Sequence, residues 1–415
     1  MAILKAFKGI RPLSEKVAEI ASRPYDVLNR NEAFIEAEGN PLSFLRVTKP
    51  EIEFPASVNE YAPEVYHKGS ANFQKMIEDG IFFTDDSDKL YVYAQTMNGR
   101  KQYGIVGCAS IDDYLNKVIL EHELTRPDKE EDRKNHIRAS NVNYEPVFFT
   151  YPAVAEIDDI VAKIVSSPAE YDFTSNDGIG HQFWVINEKA VIERIIELFA
   201  AIPNTYVADG HHRTVAAVHV GEERRKANPC HTGNEEYNYF MAAHFPDNQL
   251  KIFDYNRLVQ DLNGLSEKEF LKKLEPGFIV ECKDTEEHRP AKLHEFSMYL
   301  GGKWYSLTAR EGTCNDSDPI GCLDVTALYE LVIAPILNIK DLRKSMRIDF
   351  VGGIRGLGEL KRRVDSGEMA VAFALYPVSM KQLIDIANTG NIMPPKSTWF
   401  EPKLRSGLVV HKITE

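Results

Sequence analysis

Apolar and polar positions alternate with two periods along the chain, which predicts strands interleaved with helices. The stretch KLYVYAQTMNGRKQYGIVGCASI has β-branched and aromatic runs on both sides of Asn98-Gly99, the pattern typical of a β-hairpin. EKAVIERIIELFAAI has apolar residues at helical spacing and predicts an amphipathic helix with Val191, Ile195 and Leu198 on one face. Such alternation throughout predicts an α/β or α+β fold.

Local signals place several element boundaries. Pro127 or Asp128 is expected to begin a helix in the charged stretch RPDKEEDRKNHIRAS, because proline suits the first helical turn. Asn29 or Asn31 can cap the helix that follows SRPYDV. Near the C-terminal end, MAVAFALYP reads as a buried strand, and SMKQLIDIANTG reads as a helix ended by Gly390.

Composition and charge narrow the class of protein. The 415 residues suffice for two or three domains, and the net charge of −13 disfavours binding to nucleic acid. No apolar run is long enough for a membrane helix, and the first residues, MAILKAFKGIRPL, do not resemble a secretory signal. Five cysteines without CxxC spacing favour reduced thiols, so we expect a cytoplasmic protein.

The turn in VADGHHRTVAAV carries the strongest candidate chemistry. A strand ending near Ala208 and a helix beginning near Gly210 would expose helical amides without internal acceptors. Arg213 can fork onto phosphate oxygens, and the histidines add donors, which together favour an anion site. The acid in the turn, Asp209, could hold Mg²⁺ bridged to phosphate.

A plainer interpretation of this turn stays open. Asp209 would then only cap the helix, and Arg213 would be an ordinary surface charge. The adjacent side chains of His211 and His212 do not share a helix face, so a zinc site is not expected.

Three further stretches contain candidate residues. GGIRGLG, residues 352–358, lies between a strand and a helix but matches neither common phosphate-loop pattern, so a flexible turn is the alternative. MPPKST presents Lys396 beside the hydroxyls of Ser397 and Thr398, which suits a phosphate or a carboxylate as well as an ordinary loop. In EHELT, Glu121 and Glu123 would share one face of an extended segment, and one of these carboxylates could take a proton from a hydroxyl near a phosphate site, although paired acids are also common on solvated surfaces.

Together these motifs resemble a known group of enzymes. VADGHHRTVAA is similar to the signature of SerK-type free-serine kinases of the ParB/sulfiredoxin superfamily. The C-terminal PPKST loop and the EHEL segment resemble two other segments of the same kinases. End to end, RPYDV, NPLSFLRV, HELTRPDKEEDR, ADGHHRT and MPPKSTWFEPKLRSGLV resemble a large family of uncharacterised bacterial and archaeal proteins allied to those kinases.

The resemblance implies a fold and an activity. It implies a ParB/sulfiredoxin-like nucleotide-binding core over residues 121–260, an added N-terminal α/β region over 1–120, and a C-terminal α/β region over 261–415. The implied reaction is transfer of a phosphoryl group from ATP or ADP, with Mg²⁺, to the hydroxyl of free L-serine or a similar metabolite. No nucleic acid or membrane partner is implied, and a homodimer stays open.

The resemblance also assigns roles to residues. Glu123 would be the general base, and Asp209 would hold Mg²⁺ or orient the nucleophile. The remaining implied residues bind the nucleotide phosphates or close over the transferred group: Gly210, His211, His212, Arg213, Lys396, Ser397 and Thr398.

The chain departs from the compact kinases in two ways. Glu123 and Asp209 are 86 positions apart, so an insertion lies between them, and the first 120 residues have no counterpart. The alternatives are a ParB-like regulator that binds or hydrolyses nucleotide without an acceptor, and a sulfiredoxin-like redox enzyme. The redox enzyme would need a cysteine in the turn, and none occurs between Thr205 and Val220.

Overall fold

The computed structural model describes residues 1–414 as a mixed α/β protein, which confirms the predicted fold class. The strands are β1 (Leu4–Lys5), β2 (Ile10–Pro12), β3 (Phe82–Thr84), β4 (Leu90–Met97), β5 (Arg100–Ser110), β6 (Ile119–Leu120), β7 (Val142–Asn143), β8 (Val147–Tyr151), β9 (Tyr171–Thr174), β10 (Gly180–Ile186), β11 (Thr205–Asp209), β12 (Tyr239–Pro246), β13 (Ile252–Phe253), β14 (Tyr255–Val259), β15 (Phe278–Asp284), β16 (Glu295–Leu300), β17 (Lys303–Ala309), β18 (Ile348–Gly352), β19 (Val371–Leu375), β20 (Trp399–Phe400) and β21 (His411–Lys412).

The helices alternate with these strands along the chain. They are α1 (Val17–Ile20), α2 (Arg30–Ala37), α3 (Leu45–Thr48), α4 (Pro63–Glu78), α5 (Ile111–Leu115), α6 (Pro127–Ser140), α7 (Ala155–Ile164), α8 (Lys189–Ala200), α9 (His211–Ala227), α10 (Glu267–Leu274), α11 (Asp324–Leu328), α12 (Gly356–Asp365) and α13 (Met380–Asn388). A π-helical segment, Tyr329–Ile333, continues directly from α11.

The chain divides into two compact units. The first comprises Met1–Glu121, Thr125–Leu250 and Pro402–Glu415, and the second comprises His122–Leu124 and Lys251–Glu401. The first unit therefore draws on all three regions distinguished in the sequence. The reason is that β4 and β5 from the first region share one sheet with β8, β11 and β12 from the second, and β21 from the third region pairs with β7.

That shared sheet has nine strands and is mixed. Its order is β6-β11-β8-β12-β5-β4-β10-β9, and β1 pairs with the end of β5. Two pairs are parallel, β11 with β6 and β12 with β8, whereas the other pairs are antiparallel. One apolar core lies where α7 and α8 pack on the sheet, and another lies where α6 and α9 pack.

The second unit is built on a six-stranded antiparallel sheet. Its order is β15-β17-β16-β19-β14-β18. Leu357 and Leu360 of α12 pack with Trp304 and Val351 in its core. The predicted buried strand in MAVAFALYP is β19, all of whose residues are buried.

The local boundary signals are confirmed. Asn98 and Gly99 both have positive φ, 51° and 76°, and join β4 to β5 as the predicted hairpin turn. Pro127 begins α6. Asn29 caps α2, since its side chain accepts from the amide of Glu32 and the Glu32 side chain accepts in return.

Within residues 1–414 no helix combines the length and apolar character that would be needed to cross a bilayer. The five cysteines are free thiols, and Cys108 is the buried one.

Candidate active site

The turn between β11 and α9 forms the centre of the candidate site in the first unit. The strand ends at Asp209, Gly210 has φ 94°, and the 17-residue helix begins at His211. This left-handed conformation suits glycine because a Cβ would clash with the backbone there. Gly210 has no side chain with which to cap the helix, whereas α2, α10 and α13 each have a capping box.

Asp209 lies between two cations. Its Oδ1 accepts from Lys403 Nζ at 2.8 Å, and its Oδ2 accepts from Arg213 Nη2 at 3.1 Å. Burial alone would raise the pKa of this carboxyl, but Lys403 and Arg213 outweigh burial and lower it to about 2. Asp209 is therefore ionised at neutral pH and is held in place from both sides.

Arg213 is buried, and its side chain is directed into the protein. Its Nη1 donates to the carbonyl of Pro146 at 2.7 Å, and its Nη2 lies 3.8 Å from Asp26 Oδ2. Its Nε has no hydrogen-bond partner among the described residues. The guanidinium packs so close to the turn that a Cβ at Gly210 would lie 3.0 Å from it. Arg213 thus holds the turn and Asp209, and phosphate binding by Arg213 stays a prediction.

The two histidines of the turn differ in environment. His211 is buried, and burial lowers its pKa to about 4, against the opposing charge of Asp209. It is therefore neutral at pH 7 and can donate one hydrogen bond rather than supply a charge. His212 Nε2 accepts from the backbone amide of Arg126 at 3.0 Å, which ties the start of α6 to the turn.

A buried cluster of charged residues shares a cavity with Arg213, and the sequence did not predict this cluster. Arg133 stacks over the ring of Tyr25 at 3.6 Å and pairs with Asp132 at 2.7 Å. Glu145 lies 3.7 Å from Arg133, and its Oε1 accepts from the amide of Tyr25 at 3.0 Å. Arg133, Glu145 and Arg213 line one cavity of about 40 Å³, large enough for a water molecule.

Lys403 and Glu145 are the partners that sequence reasoning missed. Lys403 lies in the quoted segment MPPKSTWFEPKLRSGLV, but it is 194 positions from Asp209. The family-like motifs RPYDV and PKLRSGLV were the available signal, since they contain Tyr25, Asp26 and Lys403. Nothing in the sequence indicates which of these residues meet.

In the second unit the structure brings two predicted motifs together. The His122 carbonyl accepts from the amide of Met393 at 2.8 Å, and His122 Nε2 lies 3.1 Å from Thr398 Oγ1. The segment that contains Glu123 therefore contacts the MPPKST loop directly. Glu123 itself is half-buried.

The MPPKST loop has a defined conformation. Ser397 Oγ donates to the carbonyl of Pro394 at 2.6 Å. Lys396 has φ 61°, a conformation that non-glycine residues adopt rarely, and its Nζ lies 5.6 Å from the centre of the Tyr255 ring. The loop fixes the position of Lys396, and its predicted role in binding phosphate or carboxylate stays a prediction.

The two acids of the EHELT segment have separate surroundings. Glu121 belongs to the first unit, where its Oε2 accepts from Tyr114 Oη at 2.8 Å and burial raises its pKa. Glu123 belongs to the second unit. Glu121 is thus engaged with Tyr114, and the role of Glu123 as the general base stays a prediction.

The glycine-rich stretch in residues 352–358 is a connection between β18 and α12. Gly353–Arg355 form a 3₁₀ turn, and Gly356, with φ 71°, is the first residue of α12. The amide of Gly353 donates to the carbonyl of Asp254 at 2.7 Å. This geometry is that of a βα turn, and phosphate binding there has no further support.

Asp209 is the carboxylate that the turn itself could offer to Mg²⁺, and Asp26 is a second carboxylate nearby, with its Oδ2 3.8 Å from Arg213 Nη2. Within residues 1–414 no group of three or more His, Cys, Asp or Glu side chains is arranged to hold a metal ion. Mg²⁺ is commonly bound through one or two carboxylates together with substrate phosphates. Asp209 can serve in that way only with a nucleotide present, because Lys403 and Arg213 already donate to its two oxygens.

Comparisons with known proteins give a family and a set of distant structures that includes the following three. Residues 4–326 match the family described as "Protein of unknown function (DUF1015)". No curated protein matches the chain. Among solved structures, a free serine kinase in complex with AMP is similar at 12% identity and TM-score 0.33, covering 72% of this chain and 86% of that chain.

The other two structures are similarly distant. A conserved hypothetical protein from Pyrococcus furiosus has 12% identity and TM-score 0.33, covering 73% of this chain and 93% of that chain. SbnI with a C-terminal truncation, from Staphylococcus aureus, has 14% identity and TM-score 0.36, covering 71% and 82%. Because all three TM-scores are below 0.5, we draw neither the fold nor the function of this chain from them.

Proposed function

This chain belongs to the DUF1015 family, and we propose that it is a small-molecule kinase. It transfers a phosphoryl group from ATP or ADP to the hydroxyl of free L-serine or a similar metabolite. One observation carries the proposal. The ionised carboxylate of Asp209 is held between Lys403 and Arg213 at the N-terminus of α9, where the N-cap residue, Gly210, has no side chain to cap the helix. Motif resemblance, already described for this turn, supplies the type of reaction.

The turn has the features that a nucleotide phosphate requires. The N-terminus of a helix attracts anions because its first amides point outwards and the helix dipole is positive there. Gly210 lets a ligand approach the backbone closely, and the neutral ring of His211 can donate a hydrogen bond. In the proposal Gly210, His211, His212 and Arg213 therefore bind the phosphates.

The reaction requires a base and charge stabilisation. In the proposal the Glu123 carboxylate accepts the hydroxyl proton of the acceptor, whose oxygen then attacks the terminal phosphorus. A new O–P bond forms while the bond from phosphorus to the bridging oxygen of the nucleotide breaks, and ADP or AMP leaves. Positioning and positive charge do most of the work in such transfers. Lys396, Ser397 and Thr398 would provide them around the transferred group or the acceptor carboxylate.

The metal has a limited role in the proposal. Mg²⁺ would neutralise charge on the nucleotide phosphates, with Asp209 as the carboxylate that holds it. Asp209 alternatively orients the attacking hydroxyl. Both roles need Asp209 ionised, and its ion pairs with Lys403 and Arg213 keep it so.

The first experiment identifies the reaction. Purified protein is incubated with Mg²⁺, either ATP or ADP, and a pool of hydroxyl-bearing metabolites that includes L-serine, and the products are analysed by mass spectrometry. The proposal predicts O-phosphoserine or another phosphorylated acceptor. Loss of nucleotide without a phosphorylated acceptor would instead favour a nucleotide-hydrolysing regulator, and no nucleotide consumption would contradict both functions.

The second experiment tests the assigned base with a matched control. Glu123→Gln should abolish transfer while nucleotide still binds, because the substitution keeps the shape and removes the proton acceptor. Glu121→Gln alters the neighbouring acid, which is hydrogen-bonded to Tyr114, and should keep turnover. Full turnover by Glu123→Gln would show that another group is the base.

A further inference from the structure

A second polar cavity lies in the first unit, away from the residues assigned to phosphate binding. Its volume is about 430 Å³, which lies in the range of small-molecule sites. It is lined by residues of α1 and α2, by the turn between β9 and β10, and by Arg405. The polar and charged lining residues include Glu19, Arg23, Glu36, Asn40, Asp177 and Arg405.

Arg405 is the buried charge of this cavity. Its side chain is 5% exposed, its Nε donates to His181 Nε2 at 3.2 Å, and its Nη2 donates to Ser175 and Asp177. His181 is neutral because burial lowers its pKa to about 3, and its Nδ1 is hydrogen-bonded to Tyr93 Oη at 2.8 Å. Arg405 is thus fixed on one edge by a rigid set of partners.

The other edge of Arg405 is uncommitted. Nη1 makes no hydrogen bond with any residue between 1 and 414. A guanidinium held in this way is preorganised to donate to a carboxylate or another planar anion. Arg405 therefore supplies an anion-binding edge to the cavity.

The same cavity contains an uncommitted carboxylate oxygen. Glu36 accepts from Arg23 through Oε2, at 2.8 Å from Arg23 Nε, and its Oε1 has no partner in the described chain. Glu19 adds a second carboxylate from α1, whose Oε1 accepts from Lys16 Nζ at 3.3 Å. An anion-binding edge and a cation-binding edge thus occur together in one cavity.

From this combination we propose that the cavity binds a zwitterion of amino-acid to dipeptide size. The ligand carboxylate pairs with Arg405 Nη1, and the ligand ammonium pairs with Glu36 Oε1 and Glu19. A simple anion would leave Glu36 Oε1 without a partner in the cavity, and a simple cation would leave Arg405 Nη1 without one. The proposal does not depend on the proposed kinase activity, because it concerns different residues and needs no nucleotide.

Calorimetric titration tests the proposal on the full chain without nucleotide. The ligands are L-glutamine and glycyl-L-alanine, which have no hydroxyl side chain and so cannot serve as phosphoryl acceptors. Butyrate and butylamine carry one charge each. We expect the zwitterions to bind and the two singly charged compounds to bind more weakly, on the order of tenfold or more, since each lacks one charge-assisted contact.

Substitutions locate the binding site. Arg405→Gln should weaken zwitterion binding on the order of tenfold or more. Ala18→Trp should block the cavity without removing a hydrogen bond, since Ala18 is an exposed lining residue, whereas Ala18→Ser should leave binding intact. The Ala18 pair decides the outcome if Arg405→Gln fails to fold. Arg194→Gln changes an exposed arginine outside the cavity and should have no effect.

Three results would overturn the proposal. The first is absence of binding by either zwitterion. The second is equally tight binding of butyrate or butylamine, which would exclude recognition of both charges. The third is unchanged zwitterion affinity in Ala18→Trp, which would place binding elsewhere. None of these results bears on the kinase proposal, which is tested by product formation.

Discussion

The ion pair between Lys403 and Asp209 makes a quantitative prediction about pH and stability. Replacing Lys403 by methionine keeps the apolar stem and removes the ammonium that donates to Asp209 at 2.8 Å. Asp209 would retain only Arg213 as a direct cationic partner, 3.1 Å away. Burial would then act against a less compensated charge, so the pKa of Asp209 should rise and the first unit should lose stability at neutral pH.

The magnitude follows from the pKa of Asp209. Its folded value of about 2 lies below the ordinary value of 3.8. A shift of roughly 1.8 units corresponds to about 2.4 kcal/mol of stability at pH 7. Because the folded pKa is depressed, this contribution is fully present above the unfolded pKa and is lost as the pH falls towards the folded pKa. About half of it should remain at pH 3.

Equilibrium unfolding of wild type and Lys403→Met in urea, from pH 7 down to pH 3, checks this prediction. If the substitution returns Asp209 to its ordinary pKa, the variant should be about 2 kcal/mol less stable at pH 7 and about 1 kcal/mol less stable at pH 3. Lys189→Met is the control, because Lys189 is 87% exposed and pairs with Glu193 only at 3.6 Å. Its effect should stay within about 0.5 kcal/mol.

The dependence on pH is the decisive part of the result. A deficit that is equal at pH 7 and pH 3 would mean that Lys403 stabilises the protein through packing alone. A deficit of less than about 0.5 kcal/mol at pH 7 would mean that Asp209 is not held by this ion pair. Either result would remove the charge arrangement on which the proposed phosphate site depends.

Three further substitutions test features of the same fold. The ring nitrogens of His244 have no hydrogen-bond partner among residues 1–414, and burial lowers the pKa of this ring to about 3, so it takes up a proton on unfolding below pH 6.5. His244→Phe should therefore reduce the rise of unfolding free energy with pH by up to about 1.4 kcal/mol per pH unit in that range, measured by urea unfolding, and an unchanged slope would contradict this. Arg257 is 2% exposed, and its Nη2 has no hydrogen-bond partner in the part of the chain that the structure describes. Arg257→Met should therefore leave the free energy of unfolding unchanged or raise it by up to about 4 kcal/mol in thermal unfolding, and a large loss would show that an acceptor completes the site. Gly210→Ala should lower the free energy of unfolding by more than the ~1–2 kcal/mol expected for a left-handed alanine, because its Cβ would lie 3.0 Å from the Arg213 guanidinium. In the control Gly39→Ala the Cβ meets no atom within 4 Å, so only the conformational cost is expected, and equal losses in urea unfolding would rule out the contact at Gly210.

Local signals in the sequence predicted local structure correctly. Asn98-Gly99 specifies its hairpin because both residues tolerate the positive φ that the tight turn requires. Pro127 begins α6 because the first helical turn needs no amide donor there. The turn at Gly210 was likewise placed to within one residue, since a strand ending, a glycine and a helical run are adjacent in the chain.

Contacts between segments that are distant in the sequence could not be predicted in the same way. The face predicted for α8 contained Val191, Ile195 and Leu198. Ile195 is buried, and Val191 and Leu198 pack against the same core while partly exposed, whereas the other two buried positions are Ile192 and Phe199. Both sets have helical spacing, so the choice depends on what α8 packs against and not on its own sequence. Partners of Asp209 show the same limit, because Lys403 approaches from another part of the chain, 194 positions away.

The ion pairs of Asp209 impose a condition on the proposed nucleotide site. An entering phosphate would compete with Asp209 for Lys403 and Arg213, because the phosphate and the Asp209 carboxylate accept from the same donors. Asp209→Asn removes the competing charge and leaves both cations in place.

If Asp209 serves catalysis by orienting the acceptor, Asp209→Asn should bind nucleotide more tightly than wild type while transfer is lost. If Asp209 instead holds Mg²⁺, the variant should bind Mg²⁺–nucleotide more weakly than wild type, with a smaller difference when EDTA is present. Calorimetric titration with and without EDTA separates the two roles, and unchanged affinity in both conditions would exclude Asp209 from the nucleotide site.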